Sequence, residues 1–148
     1  MDRYQQFTII INKLSREIKR LKNEVMADYG LKSVHVSCIY YLYKEEKLTS
    51  KEITEICDED KGFISRNISF LQRHNYVKCE KDTKKRYNDY LFLTDKGKEI
   101  GKVLSDKVDY VLKLSSAGMS EDERKALYDN LEIIYNNLRN IKIENVII

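Results

Sequence analysis

From Lys61 to Arg73, within the stretch DKGFISRNISFLQRHNYV, the polar residues Lys61, Gly62, Ser65, Arg66, Ser69, Gln72 and Arg73 occur with no acid among them. At 100° per residue, Ile64, Ile68 and Leu71 share one helical face and the polar set falls opposite. A solvated helix face ordinarily mixes Glu with Lys, because opposite charges at i,i+4 support the helix. A face without acids suits a polyanion: Ser and Gln hydrogen-bond base edges, and Arg addresses guanine or phosphate. The competing reading is an exposed helix that happens to lack Glu, and the neighbouring segments must decide between them.

Charge is the first neighbour to consult. The whole chain of 148 residues carries a net charge of only +3. Residues 61–90 hold eight basic side chains (Lys61, Arg66, Arg73, Lys78, Lys81, Lys84, Lys85, Arg86) against Glu80, Asp82 and Asp89, so one segment carries all of the excess. Such a local footprint is expected where phosphates are neutralised.

Other chemistries lack their residues. No glycine-rich phosphate loop, nucleophile beside a base or paired carboxylate motif is visible, so the chain reads as a non-enzyme without cofactor. Cys38, Cys57 and Cys79 show no CxxC spacing, which argues against a disulfide framework or zinc knuckle and for reduced thiols. His35 and Cys38 stand at i,i+3, compatible with a shared metal, but Cys38 falls on an apolar face and reads as a packed thiol, so no metal site is expected. With no proline, 42% hydrophobic and 34% charged residues, and no apolar run of about 20, a single helix-rich cytoplasmic domain over 1–148 is expected, away from membranes.

The elements that position the basic segment follow from periodicity. Phe7, Ile11, Leu14, Ile18, Leu21 and Val25 alternate steps of four and three, describing a long first helix that should end near Tyr29-Gly30. Ser33 is expected to cap a second helix burying Val36, Ile39 and Leu42. Thr49 and Glu52 form a capping box for a short third helix with Ile53 and Ile56 inward. Asp60 then caps the acid-free helix, and Asn75, tolerant of φ > 0, ends it. Val77 and Cys79, then Leu91 and Leu93, alternate with outward residues and predict two strands around the basic tip KDTKKRYND. Thr94 caps a fifth helix with Ile100, Leu104, Val108 and Val111 inward. Ser120 and Glu123 box a sixth carrying Leu127, Leu131, Ile134, Leu138 and Ile141.

Three short helices and a hairpin define a winged helix-turn-helix, a mainly α fold with a small β-hairpin, whose last short helix enters a major groove while the hairpin tip follows the backbone. The segments LTSKEITEICDEDKGFISRNISFLQRHNYV and YLFLTDKGKEI also resemble the MarR family of winged helix-turn-helix transcriptional regulators over essentially the whole chain. The family pattern L-T-x-x-E-L-A stands as Leu48, Thr49, Glu52, Ile53 and Thr54. Its S/T-R-x-x-x-x-L stands as Ser65, Arg66 and Leu71, and its L-T-x-K-G as Leu93, Thr94, Lys96 and Gly97. The tip departs from the family's D-x-R: a lysine, Lys84 or Lys85 by alternative alignments, stands in place of the aspartate. Arg86 is the candidate wing arginine, with Tyr87 in its place after a one-residue shift.

The resemblance implies a homodimeric repressor on a pseudo-palindromic operator in double-stranded DNA. Residues 31–97 would bind DNA through Lys61, Gly62, Ser65, Arg66, Ser69, Gln72, Arg73, Lys84, Lys85 and Arg86. Residues 1–30 and 98–148 would form a dimerisation region around Phe7, Ile11, Leu14, Ile18, Leu127, Leu131, Ile134 and Leu138. Tyr40, Tyr41 and Tyr43 cluster on the second helix, where relatives form one wall of a pocket, and would suit a small phenolic or apolar anionic effector; half-buried packing is the plainer reading. Two alternatives stay open: a winged helix that binds protein as an interaction or anti-repressor subunit, and a regulator that senses redox state through a cysteine.

Overall fold

Asp2 accepts the N–H of Gln5 at 2.8 Å and opens the first helix, α1 (Arg3–Val25). The computed structural model describes residues 2–81 and 89–146, in two units, Met1–Val108 and Asp109–Ile148. In the first unit α1 is followed by α2 (Ser33–Glu45), β1 (Leu48–Thr49), α3 (Ser50–Cys57), α4 (Lys61–Arg73), β2 (Val77–Glu80), β3 (Tyr90–Leu93) and the start of α5 (Asp95–Ser115). The second unit holds the rest of α5 and α6 (Glu121–Asn140).

The core of the first unit is built from the stripes that periodicity picks out. Val36, Ile39 and Leu42 of α2, Ile53 of α3, Ile64, Ile68 and Leu71 of α4, Leu91 and Leu93 of β3, and Leu104 of α5 are all buried together. Truncating a fully buried member such as Leu71 to Ala costs about 2–5 kcal/mol, so α4 is held by its inner stripe and not by helix propensity.

Local chemistry sets the helix ends. The Thr49 hydroxyl accepts the Glu52 N–H at 3.2 Å while the Glu52 carboxylate takes the Thr49 N–H at 2.7 Å, completing the expected box. Asn75 adopts φ 59° directly after α4. Thr94 Oγ1 accepts the N–H of Gly97 at 3.0 Å and so caps α5. Gly97 has no alternative there, because an added Cβ would collide with the carbonyl oxygen of Tyr76.

Five expectations require correction. The two-strand hairpin is a three-stranded antiparallel sheet in the order β1-β3-β2, with Leu48 opposite Leu91 and Val77 opposite Leu93; β1 has only two residues, too few for alternation to reveal. α1 stops at Val25, and Gly30 (φ 69°) closes a 3₁₀ turn, Ala27–Tyr29, instead. Lys32 and not Ser33 precedes α2, its N–H satisfied by His35 Nδ1 at 3.1 Å. Ile56 is 43% exposed, since Ile53 and Cys57, one turn apart, take the inner face of a helix only eight residues long. Cys79 is exposed, because β2 is an edge strand of which only Val77 reaches the core.

The second unit leaves its apolar seam uncovered. The Ser120–Glu123 box opens α6 as expected, yet no α6 residue is buried: Leu127 and Leu138 are exposed, while Leu131 and Ile134 are half-buried. In the first unit α1 behaves similarly, with Leu14 and Ile18 about half exposed and Phe7 and Ile11 partly covered. Among the described residues no helix is long and apolar enough to cross a membrane.

Candidate nucleic-acid interface

α3, the turn Asp58-Glu59-Asp60 and α4 form a helix-turn-helix. Asp58 ends α3 in the left-handed region (φ 49°), turning the chain, and Asp60 Oδ2 accepts the N–H of Phe63 at 3.0 Å to start α4. With Ile64, Ile68 and Leu71 fixed inward, the opposite side is presented to solvent: Lys61, Ser65, Arg66, Gln72 and Arg73 are exposed, and Gly62 and Ser69 partly covered. Gly62 lies close beneath Arg66, whose Nη1 would stand 3.4 Å from an added Cβ. Ser69 Oγ donates to the Ser65 carbonyl at 3.0 Å, leaving its lone pairs available. Among the described residues, no ion pair engages Lys61, Arg66 or Arg73. These cations are thus free of direct ion pairing among the described residues, as an anion-binding face requires. Lys84, Lys85 and Arg86 lie outside the described residues.

Two residues that sequence patterns did not single out as partners hold α4 in place. His35, from the first turn of α2, bonds Asn67 of α4 through Nε2 and Oδ1 at 2.8 Å, and Asn67 Nδ2 donates to the Phe63 carbonyl at 2.8 Å. Its ring faces α4, away from any metal shared with Cys38. A polar residue on a helix flank carries no periodic signal, so Asn67 was not legible. Lys96 follows β3 and donates to the His74 carbonyl at 2.8 Å, its ammonium 4.2 Å above the Tyr76 ring. A cation there satisfies the carbonyl end of the α4 dipole.

Cys38 is fully buried, as a packed thiol should be. Interaction with the Cys57 thiol and burial raise the Cys38 thiol, and the same interaction holds that of Cys57 below its usual range. Cys57 lines a cleft of about 180 Å³ between α1 and α2, with Lys19, Lys22, Ser33, Ser37 and Glu59. Tyr40, Tyr41 and Tyr43 do not line it. They are half-buried against the core, Tyr40 and Tyr41 edge-on at 5.5 Å and Tyr43 packed over Gly101. Among the described residues no three His, Cys, Asp or Glu side chains converge as metal ligands.

A capped helix-turn-helix, a sheet-borne wing and an acid-free outer helix face define the class of winged-helix proteins. The family profile described as winged helix DNA-binding domain matches residues 34–111. The chain is 25% identical over 128 residues to the HTH-type transcriptional regulator SarZ of Staphylococcus epidermidis, covering 86% of this chain and 85% of that protein. Its fold matches a MarR family regulator from Listeria monocytogenes complexed with a 26mer DNA (TM-score 0.80, 18% identity, 93% of this chain and 89% of that one). It also matches S. aureus MepR in its DNA-binding conformation (TM-score 0.82, 17% identity, 89% and 98%). The chain belongs to the winged helix DNA-binding domain family, and its fold is the one shared by those solved MarR family regulators. The curated relatives it matches are named HTH-type transcriptional regulators.

Proposed function

We propose that the protein is a homodimeric, cytoplasmic repressor that occupies a pseudo-palindromic operator and is modulated by a small phenolic or apolar anionic effector. The observation that carries DNA reading is the outer face of α4, where exposed cations without an ion pair among the described residues stand beside hydroxyl and amide groups. Ser65, Arg66 and Ser69 face the major groove, with Gly62 allowing close approach. Lys61, Gln72 and Arg73 reach the groove edge or the phosphates, and the tip residues Lys84, Lys85 and Arg86 supply charge for the backbone. Residues 31–97 form the DNA-binding part, and the uncovered seams of 1–30 and 98–148 meet their copies in a second chain. Tyr40, Tyr41 and Tyr43 form one wall of the effector site.

Salt titration tests this reading. Binding through phosphate neutralisation weakens steeply with salt, and each phosphate contact removed lowers the log–log slope by roughly 0.9. Arg73→Ala and Lys61→Ala should therefore flatten the dependence. A salt-independent interaction would instead identify a protein-binding winged helix.

One observation favours a second mode of control, the place of Cys57 in the lining of the α1–α2 cleft with its thiol held below the usual range. Peroxide treatment that weakens DNA binding in the native chain but not in Cys57→Ser supports it; equal binding before and after treatment sets it aside.

A further inference from the structure

The chain has two histidines, and both stand against one phenylalanine. The His35 ring stacks on Phe70 at 4.3 Å with planes 6° apart, and Phe70 stacks on His74 at 3.9 Å. The start of α2 thus meets the end of α4 through three rings. The hydrogen bonds around His35 fix its protonation. The Lys32 N–H only donates, so Nδ1, 3.1 Å away, carries no hydrogen. The Phe63 carbonyl only accepts, so it takes Asn67 Nδ2 and turns Asn67 Oδ1 toward His35, whose Nε2 must then donate. Backbone groups at both ends of the chain of bonds select one neutral tautomer.

A second proton would enter at Nδ1, where the Lys32 N–H already points. One hydrogen bond would be lost and two donors would face each other in a site where His35 is 3% exposed. Burial lowers the pKa of His35, the bond to Asn67 works against that, and the titratable groups acting on the ring, Lys32 and His74, both oppose added positive charge.

We propose that His35 is a proton-sensitive positioning residue, which in its neutral form holds the recognition helix in its DNA-reading place and on protonation releases it. The inference rests on the reading of α4 as the DNA-reading helix. Its sign is fixed by linkage: a depressed histidine pKa leaves the native arrangement fully favoured above the ordinary value of about 6.5 and progressively lost as pH falls below it through the native pKa. Charge alone acts in the opposite direction, since added positive charge tightens binding to a polyanion.

The test uses the full chain and an operator recovered from randomised DNA. Affinity by fluorescence anisotropy, at fixed ionic strength from about pH 7.5 to 5.5 where histidine titrates, is measured for the native chain, His35→Gln and His74→Gln, with thermal melts of each. Gln at 35 reaches toward Asn67 without titrating. The native chain should lose affinity severalfold on acidification, up to ~10-fold for each pKa unit of depression. His74→Gln should lose at least as much, and His35→Gln should not lose affinity. A native chain that holds or gains affinity in acid, or a His35→Gln chain that keeps the loss, overturns the proposal. Should His35→Gln fail to fold, ring-proton titration of the native chain by NMR decides: His35 must titrate below the ordinary histidine value of about 6.5, and titration at or above it overturns the proposal. If no DNA is bound at any pH, positioning for DNA is overturned; an acid loss of thermal stability then shows that α4 was misread while the His35 lock itself stands.

Discussion

The hydroxyl of Thr94 donates to the carbonyl of Asn75 at 2.6 Å, tying the residue that follows β3 to the residue that turns the chain after α4. Thr94 also offers its N–H to the Tyr76 carbonyl at 3.1 Å. One residue thus joins the end of α4, the exit of β3 and the cap of α5.

Gly97 sits inside this knot, and its missing Cβ is what lets α5 approach the Tyr76 backbone. Gly97→Ala should destabilise the chain by about 1–3 kcal/mol through overpacking against an atom that cannot swing away. Urea denaturation measures it, and a midpoint equal to that of the native chain would show that α5 can shift freely.

Asp60 supplies the cap that starts α4. Asp60→Ala should cost about 1 kcal/mol, whereas Asp60→Asn, which keeps an acceptor, should cost less. Chemical denaturation of the two variants side by side gives the comparison; equal losses would assign the effect of Asp60 to its charge.

The thiols should divide by environment. Cys57, held below its usual pKa by interaction with the Cys38 thiol and by the charge of Lys22, should be alkylated at lower pH than Cys79, whose pKa is raised by desolvation and by Asp89. Cys38, buried and raised, should not react in the native state. Mass spectrometry of iodoacetamide adducts across pH reads the order directly.

Leu14 and Leu138 are each more than half or about half exposed in the single chain. If the terminal helices pair with a second copy, Leu14→Asp together with Leu138→Asp buries unpaired charge and should give a monomer or an unfolded chain. Analytical ultracentrifugation of the double variant should then show no folded dimer; a dimer of native affinity would place the interface elsewhere.

The parts of this fold legible in the sequence are those written as repeats or as local chemistry. Ile64, Ile68 and Leu71 mark an inner face by spacing alone, and Thr49, Asp60 and Ser120 mark helix starts because a short side chain there can reach its own backbone. What stayed hidden depends on tertiary meeting. The two residues of β1 form a strand only because Leu91 lies opposite Leu48, and His35 finds Asn67 across 32 positions of sequence. Ile56 was misplaced because two turns of helix offer too few residues to fix a face. The outer face of α4 was legible as a candidate from its lack of acids, while the place of Cys57 in the cleft lined by α1 and α2 had no local signature.

The most direct measurement is selection of bound sequences from randomised double-stranded DNA by the purified chain, followed by resequencing with Arg66→Ala and Ser69→Ala. Two α4 helices related by a dimer axis should enrich an inverted repeat with half-sites about 10 bp apart, and each base contact removed should relax one position in both halves at a cost of about 1–3 kcal/mol. Recovery of no common motif, or of one that both variants bind with native preference and affinity, would contradict DNA reading by the outer face of α4.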